Sequence, residues 1–341
     1  MSNLKVEIYD NINDINKNQW DNIVEQSYLG SFFHRYGWIK SIEEGIGYKG
    51  KHLIISKNDN LVGILPNFKT RIIKAPFNQL ISITPGFGGP IITGNEKEVL
   101  DLMLKSLSKM CRGNIILHCI TTLNPGYQRY NNALVKNGYQ PNLDYCRFVI
   151  DLDRDIKDII LKMDKKRRYN LKKGSDNEFK ITDEKFDDTN LKDFFDVYTR
   201  VMEKIDGVKY PFNFFISLKK NLHDRIKMFS VKVNGKKVGQ HLYFLDKEQS
   251  SLHHFFSAVS ESDFKYYPSE LLHEHGLKWG IQNNYKKYDF GGTGSDFNDG
   301  LFKFKEEFGG HLVPTLTWEK SHSLIRWNLF KVGRYFYRKS Q

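Results

Sequence analysis

One local pattern occurs twice in this chain, half a chain length apart, and that repetition restricts the possible folds more than any single motif. His52 to Pro66 (HLIISKNDNLVGILP) reads as strand, polar turn, strand, and Lys227 to Leu242 (KMFSVKVNGKKVGQHL) reads the same way. In both, an asparagine-containing turn joins two β-rich runs, and a Val-Gly pair follows the turn: Val62-Gly63 and Val238-Gly239. A glycine early in a second strand predicts a bulge or a close backbone approach. The spacing of Leu191, Phe194, Phe195, Tyr198, Val201, Met202 and Ile205 predicts an amphipathic helix ended by Pro211. Met103, Leu104 and Leu107 predict a weaker helix in the first half. After it, the strand Ile115-Ile116-Leu117 corresponds to Tyr288-Asp289-Phe290 in the second half. Each half reads as a mixed sheet with helices on its faces, an α/β (α+β) layer structure. With 341 residues, two domains each hold a core of their own. The expected domains are 1–150 and 151–314, joined near Asp151, with the tail 315–341 returning to the first.

The formal net charge is +12, and the dodecamer from Lys162 to Lys173 (KMDKKRRYNLKK) sets seven bases against the single acid Asp164. Such clustering points to an anionic partner, a phosphate, a nucleic acid or a membrane surface; the alternative is a solvated helix face. Lys165, Lys166, Arg167, Arg168, Lys172 and Lys173 are the candidate phosphate contacts, and Tyr169 either stacks on a base or packs the helix. The run from Leu324 to Lys339 is basic and aromatic, suited either to an anionic membrane or to docking on the first domain.

The densest chemistry lies at Tyr288-Asp289-Phe290-Gly291-Gly292 and, beyond a polar loop, Phe304-Lys305. Paired glycines at a strand end, Gly291 and Gly292, admit a ligand close to the backbone. A lysine beside a phenylalanine is a point charge suited to an anion or a developing oxyanion; an exposed helix lysine is the alternative. Asp289 either orients an ammonium and takes its proton, or caps a turn. His253-His254 and His273-Glu274-His275 lack the spacing of a helical metal site and read as surface or packing residues, so no metal is expected. Cys111, Cys119 and Cys146 form no C-x-x-C pair, which indicates neither zinc nor a disulfide framework and fits a reducing cytoplasmic setting. No run of about 18 apolar residues is present, so no membrane span is expected.

In order and spacing, Tyr36-Gly37-Trp38-Ile39-Lys40, Gly63-Ile64-Leu65-Pro66, the basic helix, Tyr198 to Met202, Tyr267-Pro268, Tyr288 to Gly292, Phe304-Lys305 and Phe308-Gly309 resemble the Fem-type aminoacyltransferases (FemA, FemB and FemX) of the GNAT superfamily. The resemblance implies two tandem GNAT-like domains, each a mixed, mostly antiparallel sheet flanked by helices. It also implies transfer of an aminoacyl group from aminoacyl-tRNA to an amine of a cell-wall or envelope precursor, a lipid-linked one included, in the cytoplasm or at the inner membrane face. Phe304 and Lys305 match the acyl-transfer centre, with Asp289 beside them. Trp38, Lys40, Lys209, Tyr210, Tyr267, Gly291 and Gly292 fall at acceptor-side positions. Lys209-Tyr210 stands where some members place an arginine before the proline, which argues against a nucleotide-linked muropeptide. No extended heptad run supplies the helical arm that several members carry.

Two other readings follow from the residues. An acyl-CoA- or acyl-carrier-dependent enzyme would N-acylate a sugar or polyamine. Against acyl-CoA stands the lack of a Q/R-x-x-G-x-G/A loop opening a helix. The remaining reading is a non-catalytic nucleic-acid or envelope-binding protein of the same fold.

Overall fold

A computed structural model describes residues 4–72, 77–111 and 113–323, together with Trp327, Asn328 and Val332. The chain divides into two compact units, 1–143 with 315–341, and 144–314.

The first unit runs β1 (Leu4–Tyr9), α1 (Lys17–Gln26), α2 (Tyr36–Gly45), β2 (Lys49–Gly50), β3 (His52–Lys57), β4 (Asn60–Leu65), β5 (Phe68–Arg71), β6 (Asn78–Ser82), β7 (Ile91–Ile92), α3 (Glu96–Met110), β8 (Ile115–Thr121), α4 (Asn131–Lys136) and β9 (Gln140–Asn142). The second begins with β10 (Tyr145–Asp151), α5 (Ile156–Lys162), α6 (Lys165–Ser175), β11 (Phe179–Glu184), α7 (Asp188–Lys204) and α8 (Phe212–Leu222). It continues with β12 (Ile226–Val233), β13 (Lys236–Asp246), β14 (Ser251–Ala258), α9 (Pro268–Gln282), β15 (Lys287–Gly294), α10 (Gly300–Glu306) and β16 (His311–Pro314). Then β17 (Thr317–Ser321) returns to the first unit, hydrogen-bonding between β8 and β9. The first unit holds sheets ordered β1-β3-β4-β7 and β2-β5-β6-β8-β17-β9, and the second a sheet ordered β11-β12-β13-β14-β15-β10-β16. All are mostly antiparallel, with one parallel pair in each unit, β6 with β8 and β14 with β15. The mixed sheets flanked by helices are those expected.

The repeated hairpin is present twice and in the same detail. Asn58-Asp59 and Asn234-Gly235 form two-residue turns with positive φ at both positions, the backbone that suits the right-handed twist of paired strands. Ile55 faces Gly63 while Ser56 faces Leu61, leaving Val62 as the extra residue of a bulge. Val231 faces Gly239 while Lys232 faces Lys237, which makes Val238 the same extra residue. Glycine is required beside each bulge because a helix lies on it. A Cβ on Gly63 would come within 2.6 Å of both Met103 and Val99 of α3, and one on Gly239 would lie 3.0 Å from Pro268 of α9.

Two readings change. The strand from Cys146 to Ile150, taken as the end of the first domain, pairs with β15 and β16 and lies in the second unit's sheet. Its alternation marks a strand, but nothing local in it names the partner. Pro211 does not close a helix; it stands at the N-cap of α8, where its missing N–H is not needed.

Candidate active site

In the second unit the parallel neighbours β14 and β15 are hydrogen-bonded only from Ser251 to His253 against Lys287 to Asp289. Both strands continue, to Ala258 and Gly294, without further pairing to each other. Two parallel strands that part in this way leave a wedge whose apex is His253–Asp289. Backbone groups along its sides must find other partners.

Lys305 takes that place. Its Nζ donates to the carbonyls of Gly291 (3.0 Å) and Gly292 (2.8 Å), and the residue is only 7% exposed. An ammonium carries three N–H donors, so one remains. Burial lowers the lysine to about 8, with the Asp289 carboxylate opposing that fall. At neutral pH most molecules therefore still hold the cation. Lys305 comes from α10, whose N-cap Asp299 accepts from the backbone N–H groups of Leu301 and Phe302. Asp299 is thus a helix-capping carboxylate that fixes the start of α10.

Of the two readings of Asp289, the structure shows the carboxylate that caps a turn. The carboxylate is ion-paired with Arg147, lies 3.3 Å from His253 Nδ1, and accepts the Gly291 N–H at 2.8 Å. His253 Nε2 meets Asp246 at 3.2 Å, so one imidazolium bridges two buried carboxylates and is raised to about 9. Burial opposes ionisation of Asp289, but Arg147 and His253 hold it well below the usual carboxylate range. Such a group neither orients a substrate ammonium nor takes its proton. It fixes Gly291 at φ +74°, where a side chain would meet the His254 carbonyl at 2.9 Å, and so aims the carbonyls that hold Lys305. Arg147, His253 and Asp246 escaped sequence reasoning because they lie on strands distant in the chain.

Phe304, the neighbour of Lys305, lines a groove of about 360 Å³ together with Lys166, Arg167, Asn170, Tyr267 and Glu270. Three candidate classes meet there: Phe304, Tyr267 and the basic helix α6. Arg167, however, is 4% exposed, ion-paired with Glu270 and Glu307, and stacked 4.3 Å from the Phe304 ring centroid. It builds the groove wall and is not a free phosphate contact. Arg168 is likewise occupied, donating to the carbonyls of Leu161 (2.7 Å) and Met163 (2.9 Å) at the end of α5. Lys165, Lys166, Lys172 and Lys173 are exposed, as is Tyr169.

Each of the remaining candidates has surroundings of its own. Trp38 has no exposed surface; it donates to the Pro85 carbonyl and packs on Phe32 and Phe33, a core residue of the first unit. Lys40 lies on α2 of the same unit, bonded to Asn13 at 2.5 Å and 3.4 Å from Glu44. Lys209 pairs with Glu203 at 2.7 Å. Tyr210 donates its N–H to the Tyr198 hydroxyl and packs on Phe214 and Phe256. Gly292 is exposed with open space where a side chain would stand. The histidines read as surface or packing residues are buried or half-buried, and His253 is a structural ion. The basic aromatic run from Leu324 lies, apart from Trp327, Asn328 and Val332, outside the described residues. Among the described residues no helix is long and apolar enough to cross a membrane.

Residues 241–316 match the model of the FemAB family. This FemAB segment holds every member of the wedge except Arg147, namely Asp246, His253, Asp289, Gly291, Gly292 and Lys305. The fold agrees over almost the whole chain. The crystal structure of FemX superposes with a TM-score of 0.70 at 13% identity, covering 90% of this chain and 96% of that one. L-PGS from Bacillus licheniformis gives 0.60 at 12%, covering 94% and 96%. A tandem GNAT protein from the clavulanic acid biosynthesis pathway gives 0.56 at 9%, covering 94% and 99%. At these identities the likeness is one of fold, and the fold is the tandem GNAT fold. The Fem-type resemblance stated from the sequence is borne out by the FemAB match and by FemX. No curated protein matches the chain by sequence.

Proposed function

We propose that the protein is a Fem-type aminoacyltransferase, moving an aminoacyl group from aminoacyl-tRNA to an amine of a cell-wall or envelope precursor. One observation carries this reading: Lys305 is a desolvated cation, fixed by two glycine carbonyls at the opening of the wedge, with one N–H unspent. A neutral acceptor amine attacks the ester carbonyl carbon, the C–N bond forms, and the carbonyl electron pair moves onto oxygen. That oxyanion meets the remaining N–H of Lys305. When the intermediate collapses, the C–O bond to the ribose breaks and the ribose oxygen leaves with the proton shed by the nitrogen.

The choice of donor rests on the start of α9, a helix N-terminus of the kind whose successive N–H groups would hold the pyrophosphate of an acyl-CoA. Here Pro268 lacks one of those donors, and Glu270 places a carboxylate in the first turn, held by Arg167 and by Asn170 at 3.1 Å. A pyrophosphate would lose a hydrogen bond and gain a like charge. Phosphates spread along Lys165, Lys166, Lys172 and Lys173 suit a tRNA instead.

Incubation of the protein with a lipid-linked precursor and tRNA charged with a labelled amino acid tests this. Label is expected on the acceptor, with tRNA binding that weakens as salt rises. Label moving from acyl-CoA, with no tRNA bound at low salt, would replace the donor and the reading with it.

A further inference from the structure

Beneath the wedge, three histidines from three elements converge. His241 is on β13, His254 on β14 and His273 on α9. Their ring centroids lie 4.3, 4.7 and 4.6 Å apart, and one ring nitrogen of each falls within 4.8 Å of the other two. His241 and His273 are buried and His254 half-buried. A hydroxyl orients each ring. Tyr243 is 3.2 Å from His241 Nδ1, Tyr288 2.6 Å from His273 Nδ1, and Ser257 2.9 Å from His254 Nε2. His241 Nε2 is buried and has no hydrogen-bond partner. A buried ring nitrogen without a partner is costly, and packing alone gives no reason to crowd three imidazoles around it.

We infer that His241, His254 and His273 form a binding site for a divalent first-row transition ion, zinc foremost. Imidazole is a preferred ligand for such ions, and three histidines with a fourth position open is a recurrent arrangement. The hydroxyls do what outer partners of a metal-bound histidine do, fixing each ring's rotation. Tetrahedral ligands about 2.1 Å from zinc stand ~3.4 Å apart, so the rings close by little more than 1 Å. His254 also meets the Phe290 carbonyl, and that contact is surrendered if its second nitrogen turns to the metal. Local spacing could not announce the site, because no two of the ligands share an element.

The charges facing the cluster give the inference a distinctive signature. They are Lys305 from α10, Arg167 from α6 and Asp289 from β15. Two cations and one carboxylate thus face the three rings, and removing one of the cations by Lys305→Met should tighten metal binding on the order of tenfold at pH 7.

The test is zinc and cobalt titration of the full chain purified without chelators, with bound metal counted by mass spectrometry and cobalt geometry read from its visible spectrum. One ion per chain is expected, lost in His241→Ala and weakened in His254→Gln, with a tetrahedral cobalt spectrum. Thermal melting of each variant shows whether it is folded. A wild-type chain that stays metal-free, or a folded His241→Ala that keeps its ion, overturns the site. The readout is independent of turnover, so its failure leaves the transfer reading standing, and the converse.

Discussion

The two units share a hairpin, its turn, its bulge and the helix over the bulge, but they differ along their parallel strand pairs and in the groups set beside them. In the first unit His52 sets Nε2 against Glu43 at 2.7 Å and Nδ1 against the Asn67 N–H. His118 meets Tyr139 at 2.6 Å and Asn67 at 3.0 Å, and His34 meets Ser31 and Tyr127. Both nitrogens of these three rings have a partner, although His322 of the same unit keeps a buried Nε2 without one, and the parallel pair β6–β8 holds together along the whole of β6. In the second unit β14 and β15 separate after three pairs, His241 Nε2 has no partner, and Lys305 keeps a donor in reserve. A buried polar group that is fully satisfied stabilises a fold; one left partly open costs stability and survives where a ligand or a reaction completes it. The same architecture thus closes its parallel strands in one half and opens them around Lys305 in the other, which is where the proposed transfer is placed.

Substituting the two candidate lysines tests that contrast most severely. Lys305→Ala is expected to lower single-turnover transfer roughly a hundred- to a thousand-fold at unchanged tRNA affinity, whereas Lys40→Ala in the first unit should leave the chemical step within a few-fold. Equal losses from both would erase the distinction. Next comes the anchoring pair. Asp289→Asn strands Arg147 and His253, and denaturant unfolding should report a loss of about 3–5 kcal/mol.

The bulge glycines compare the halves under one change. Gly63→Ala presses on Val99 and Met103 at 2.6 Å and should cost about 1–3 kcal/mol. Gly239→Ala, with its nearest neighbour at 3.0 Å, should cost less.

A pH dependence follows from His253, raised from 6.5 to about 9 in the folded state. Its contribution is fully present below pH 6.5 and is lost as pH rises through 9, because the folded state binds the extra proton over that window. Lys305, lowered to about 8, acts in the opposite sense and restores stability between about 8 and its ordinary 10.5. Stability should therefore decline from pH 6.5 by about 1–3 kcal/mol before recovering. His253→Gln should flatten the decline, and an unaltered curve would mean the imidazolium bridge is absent. The smallest effect belongs to the exposed bases: Lys172→Glu with Lys173→Glu should reduce the salt slope of tRNA binding by about one to two without changing melting.

How much of this the sequence disclosed depends on whether the signal was local. The Val-Gly bulges, the helix from Leu191, the strand at Asp289 and the Gly-Gly and Phe-Lys pairs all rest on short-range periodicity or chain punctuation, and all lie where their patterns placed them. What was missed depends on pairing between distant segments. The strand from Cys146 carries the pattern of any strand, so its membership in the second sheet could not be read. The sequence left Asp289 open between two readings because Arg147 and His253 approach it from other strands. Arg167 sat in a basic run whose composition suggested solvent, yet helical geometry turned it inward onto Phe304 and Glu270 while Lys165, Lys166, Lys172 and Lys173 stayed exposed. Trp38 matched a motif and is simply core.

The central claim is that the last N–H of Lys305 meets the oxygen that becomes negative during transfer. A crystal structure with a phosphonate analogue of the aminoacyl-ribose intermediate tests it directly. The account predicts a phosphonate oxygen about 2.7–3.1 Å from Lys305 Nζ, beside Gly291 and Gly292. An analogue bound elsewhere, with Lys305 still closed on its two carbonyls, would contradict it.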